Sequence, residues 1–116
     1  MAVTLNQRAY AHAQRLLDDG RAVRDDRDAW SEHRPSARQE NDFLAEHGWS
    51  EYEKWFLGID DEHREETKQR YKFPYGDFRD VHRCAVLSAE SRAGQYENLD
   101  VELACAHLHG SLDAQP

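Results

Sequence analysis

The residues with most chemical reach in this chain crowd into 72-KFPYGDFRDVHRCA-85, where two arginines, a histidine, a cysteine and two aspartates alternate with aromatic rings. Arg79, His82 and Arg83, with Tyr75 nearby, are the types that would hold a small anion. Guanidinium groups grip carboxylate or phosphate oxygens in a planar fork, and histidine changes charge near neutral pH. If a helix starts at Asp77, its free N-terminal amides would add to such a site. Arg79 and Arg83 would then share a polar stripe, one turn apart. The structural roles are as plain: Asp77 as a helix N-cap, and His82, about 40° from Phe78 at helical spacing, as a hydrogen-bonded core histidine.

A metal set is suggested by H-x-C at His82 and Cys84 and by C-x-H-x-H at Cys105, His107 and His109. Within a helix, residues two apart diverge by about 200°, so neither group converges. No metal and no other cofactor are therefore expected. Cys84 carries no sign of activation, and the chain lacks a phosphate-binding glycine loop, an H-E-x-x-H helix and a nucleophile elbow. No catalytic residue is assigned, and the reading leans away from an enzyme. Trp49, Tyr52, Trp55 and Phe56 offer either core rings or a surface for a partner.

Charge is distributed unevenly. The formal net charge is −8, and residues 40–66 hold ten acidic side chains against two basic ones. That block disfavours direct binding to nucleic acid or an anionic membrane. No run of 18 apolar residues occurs and the first residues lack a signal-like apolar core, so a cytoplasmic location is expected. The two cysteines are expected to be reduced. Three Trp, five Tyr and four Phe in 116 residues argue for a folded domain despite 33% charged residues.

The elements that must position these residues read as helices. Thr4 with Gln7, Ser36 with Gln39 and Ser50 with Glu53 match the capping box, and Gly20, Gly48, Gly58 and Gly110 read as stops. The expected helices cover 5–19, a weaker 21–34, 37–46, 51–57, a long central 77–96 and a last 101–112, with 60–71 an exposed helix at best. Val101, Ala104, Cys105, Leu108 and Leu112 form the buried stripe of the last. No period-two strand pattern persists. The expected fold is all-α, a compact bundle of five to six helices in a single domain over 1–116.

From Trp49 through Asp113, on KFPYGDFRxVHR and RAGQY, the chain resembles a group of small helical bacterial proteins found mainly in GC-rich actinobacterial genomes. A looser version, a Gly-Asp pair followed by an Arg- and Ala-rich helix, is similar to segments of phage-encoded proteins. The resemblance implies a compact helical unit over 49–113 beside a variable part over 1–48, and it brings no activity. The leading expectation is an interaction protein that docks a protein partner or forms a homo-oligomer. The alternatives are a small-molecule or anion-binding domain built on the Arg/His cluster, and a phage-derived regulator or acidic nucleic-acid mimic.

Overall fold

The computed structural model describes residues 3–114. It corrects the all-α expectation: among the described residues six α-helices are joined by five short strands in two sheets. In chain order these are β1 (Val3–Leu5), α1 (Gln7–Asp18), β2 (Ala22–Val23), α2 (Trp30–His33), α3 (Ala37–His47), α4 (Trp49–Tyr52), β3 (Phe56–Asp60), β4 (Tyr71–Pro74), β5 (Val81–His82), α5 (Arg83–Gln95) and α6 (Leu99–Ala114). Single 3₁₀ turns cover Arg27–Ala29, Glu53–Trp55 and Lys68–Arg70.

The larger sheet is antiparallel in the order β1-β3-β4, with Thr4 opposite Ile59 and Gly58 opposite Lys72. Its central strand, FLGID, is buried at Phe56, Leu57, Gly58 and Asp60, so no alternation marks it in the sequence. Sheet formation also explains Gly58. A methyl there would lie 2.7 Å from the Phe73 ring and 3.1 Å from Val3, so this glycine admits the facing side chains and stops no helix. Gly110 likewise lies inside α6.

Asn6 binds the first helix to the sheet. Its side chain accepts from the Ala9 amide as N-cap of α1, and its Nδ2 donates to the carbonyls of Glu53 and Phe56 at 2.9 and 3.0 Å. The expected Thr4 box is therefore displaced by two residues, because Thr4 belongs to a strand. The Ser36–Gln39 box forms as read and starts α3. Ser50 caps nothing, since α4 has already begun at Trp49. The expected helix over 21–34 breaks into β2, a 3₁₀ turn and the four-residue α2; residues 60–71 are mainly turns.

The long helix expected over 77–96 begins only at Arg83. Residues 76–81 instead fold back in a tight turn. The Asp77 carboxylate accepts from the amides of Arg79 and Asp80, and the Asp77 amide donates to the Asp80 carbonyl. Phe78 takes φ = 71°, unusual for a bulky residue, and its ring stacks on Phe43 at 4.4 Å. The turn feeds β5, which pairs in parallel with β2, Val23 opposite His82. Thereafter α5 and α6 carry the helical core as read: Ala85, Ala89 and Ala93, and Val101, Ala104, Cys105, Leu108 and Leu112, are all buried. No helix among the described residues is long and apolar enough to cross a membrane.

Candidate metal centre

Because α5 starts after His82, the residues of H-x-C leave the backbone from two different structures. His82 belongs to β5 and Cys84 to the first turn of α5, so the divergence that separates residues two apart on one helix does not apply. Both point toward Asp25, which follows β2 and is brought to them by the β2–β5 pairing. His33, the last residue of α2, reaches the same point.

One oxygen organises the cluster. Asp25 Oδ2 lies 2.7 Å from His33 Nδ1, 2.7 Å from His82 Nδ1 and 3.0 Å from Cys84 Sγ. Its Oδ1 accepts from the Cys84 amide at 2.7 Å, which fixes the carboxylate plane. The opposite nitrogen of His82, Nε2, lies 2.8 Å from Asp77 Oδ2. The donor atoms of Asp25, His33, His82 and Cys84 all fall within 4.8 Å of one another. The side chains of Asp25 and His82 are each 7% exposed and Cys84 is fully buried, whereas His33 closes the cluster from the surface at 38%. Beneath them Trp30, Cys84 and Ala85 form a small apolar cluster of their own, and the Trp30 ring stands 6.0 Å from that of His82.

Protonation follows from the partners. Carboxylates only accept, so His82, with one on each nitrogen, donates from both and is an imidazolium. The bond to Asp77 raises its pKa most, burial opposes, and Asp25 adds to the rise. Burial alone would raise Asp25, but hydrogen bonds from the Cys84 thiol, His82, the Cys84 amide and His33 hold it far below the usual carboxylate range. Asp77, for which burial is likewise outweighed by His82 and two turn amides, comes down to about 2. The Cys84 thiol is pushed up to about 12, by burial first and then by Asp25. It therefore keeps its proton in the metal-free chain and is no nucleophile.

The side chains of the other expected site residues engage different partners. Tyr75 is fully buried, donates to the Lys54 carbonyl at 2.7 Å and contacts His12 at 2.8 Å; burial raises its pKa. Arg79 is exposed on the turn. Arg83 turns to Asp113, 2.9 Å away. The four therefore do not form one anion site, because the helix that would have aligned them is a turn and a strand. Of the aromatic group, Tyr52, Trp55 and Phe56 are buried and Trp49 is half-buried, which makes the first three core and not an exposed surface. Cys105 is buried, His107 is exposed, and His109 pairs with Glu90 and Asp113.

Asp25 and His33 escaped the sequence reading because they sit in an alternating-charge stretch that looks like a solvated helix. The only local signal was H-x-C placed just before a helix start. No family model, curated protein or solved structure matches this chain.

Proposed function

We propose that this chain binds a divalent transition metal ion of the zinc class, with Asp25 Oδ2, His33 Nδ1, His82 Nδ1 and Cys84 Sγ as ligands. The convergence of two imidazole nitrogens and a thiol on a single carboxylate oxygen carries this reading. One oxygen, two nitrogens and one sulfur match zinc in number and type. A tetrahedral ion would hold nitrogen and oxygen ligands about 3.3 Å apart. The present 2.7 Å contacts must open by roughly half an ångström. The ion replaces the protons now directed at Asp25, so binding releases them to solvent. Asp77 keeps the Nε2 proton of His82 and orients that ring, the carboxylate–histidine–metal arrangement that raises ligand basicity.

Four protein ligands leave no position for a substrate, so the role is structural or sensory and not hydrolytic. The ion ties segment 25–33 to the start of α5, adding to the packing of Trp30 on Cys84 and Ala85. This keeps the expectation of a non-enzymatic protein and gives it a ligand. Self-association is a second reading, favoured by the exposed side chains of Tyr96, Leu99 and Leu103, the latter two one turn apart on α6. Light scattering of the chain and its Leu99→Glu, Leu103→Glu variant checks it, a monomer in both cases ending that reading.

The test of the metal site is cobalt substitution. Chelator-treated chain titrated with cobalt(II) is expected to reach one equivalent, with strong tetrahedral d–d bands and a thiolate-to-cobalt charge-transfer band. Cys84→Ser removes the charge-transfer band and Cys105→Ser keeps it. His33→Ala, at the surface, weakens binding without unfolding the chain, and Asp77→Asn weakens it about 10–100-fold. Octahedral spectra, or a charge-transfer band that survives Cys84→Ser, would overturn the assignment.

A further inference from the structure

Beside Trp30 lies a cleft of about 560 Å³, none of whose lining residues is a proposed ligand. That volume falls in the range of small-molecule sites. Its apolar surface includes the rings of Trp30, Tyr71 and Phe73. Its charge is the reverse of the chain's. Four basic side chains line it against one acidic residue, Glu40, in a protein of net charge −8. Glu40 is already engaged by Lys68 at 3.1 Å. Arg34, Lys72 and Arg92 have no carboxylate partner among the described residues; Arg92 instead stands 6.0 Å over the Tyr96 ring. The Asn98 amide nitrogen, also at this cleft, is among the described residues a buried side-chain polar atom left without a hydrogen-bond partner.

The geometry points to a binding site for a planar aromatic carboxylate. The flat apolar body lies against the rings, where burial of both faces drives association. The carboxylate meets the unpaired guanidinium and ammonium groups, with arginine suited to a two-pronged grip. A carboxylate oxygen also supplies the acceptor that Asn98 lacks. An organic anion with an aromatic body answers both the cations and the aromatic walls at once. The chain's net charge of −8 favours small anions over polyanions such as nucleic acid.

The test is a titration of isotope-labelled chain, followed by amide shifts, with naphthalene-2-carboxylate, the neutral naphthalene-2-methanol, and inorganic phosphate. Saturable shifts at lining residues with the carboxylate are expected, at least tenfold tighter than with the alcohol or with phosphate. The double substitution Arg34→Gln, Arg92→Gln, both exposed and so safe for folding, is expected to weaken the carboxylate by tenfold or more and leave the alcohol unchanged. The result is expected in zinc-loaded and chelator-treated chain alike, because no metal ligand lines the cleft, so it stands or falls apart from the metal reading. Absence of saturation, equal affinity for the alcohol, binding as tight by phosphate alone, or carboxylate affinity unchanged in the double variant would overturn it.

Discussion

Replacing Asp25 by alanine in the metal-free chain removes more than one bond at a time. Four groups lose their acceptor: the Cys84 amide and thiol and the Nδ1 atoms of His33 and His82. His33 is open enough to turn to water. The Cys84 groups and the His82 imidazolium are buried and have no such recourse; among the described residues Asp77 becomes the only carboxylate bonded to His82. Removing one partner of a buried charged pair costs about 3–5 kcal/mol, chiefly because the other charge is stranded. We expect a loss of about 4 kcal/mol, or roughly 2 M in urea midpoint at a typical slope for a small domain. Asp26→Ala, one residue along and exposed, forms no side-chain cap and should stay within about 0.5 kcal/mol of the parent. Urea unfolding in chelator, read by tryptophan fluorescence, measures both. Added zinc then raises the midpoint of the parent by mass action and leaves Asp25→Ala unmoved. A loss below about 1 kcal/mol for Asp25→Ala would refute the claim that this carboxylate organises the cluster.

The remaining predictions concern the turn and the core that aim His82. Gly76→Ala puts a methyl 2.4 Å from the Asp80 carbonyl and 2.7 Å from the Trp55 ring, and should cost at least about 2 kcal/mol of unfolding free energy. Gly110→Ala, helical and open around its Cβ, should gain up to about 1 kcal/mol in the same assay. At Phe78 the left-handed φ of 71° makes glycine the better truncation, so Phe78→Gly should be more stable than Phe78→Ala by about 0.5 kcal/mol or more, the reverse of the usual order. His12 has its pKa lowered, by burial first. Its neutral form is favoured by folding, and its contribution is lost as pH falls below about 6.5, the unfolded value, and through the lower folded one. A nuclear magnetic resonance titration should find the His12 midpoint below about 6.5; a midpoint above it would contradict the burial argument.

The helices that stand alone in the sequence were legible. α3 follows from Ser36 and Gln39, and α6 from apolar residues that recur at helical spacing, because these signals are local. The sheet was not. β3 runs straight on from the aromatic segment WSEYEKW and is covered on both faces, so no glycine or proline announces its start and no alternation marks its residues. β4 does alternate in burial over Tyr71, Lys72, Phe73 and Pro74, but four residues are too few to establish a period. Half of the metal cluster was visible as H-x-C. The rest was hidden because Asp25 and His33 become buried or engaged only through a parallel two-residue strand pair, a non-local event that no neighbouring residue announces.

That hidden half also says why the cluster matters to the fold. α2 has four residues, a single turn, and one turn repays little of the entropy of fixing its backbone. Nothing within it holds its position; its two ends are held from outside. Trp30 at its start is buried with Cys84 and Ala85, and His33 at its end is bound to Asp25. Both anchors lead to the junction of β5 and α5, the first directly and the second through Asp25. An ion at Asp25, His33, His82 and Cys84 would replace a hydrogen bond at one anchor with a metal–ligand bond, leaving the other as it is. α2 is thus held at both ends without an ion, and an ion would tighten the His33 end. Hydrogen exchange at the amides of α2, slowed by zinc in the parent and unaffected in His33→Ala, reads that tightening directly; equal slowing in both would place the ion's hold elsewhere.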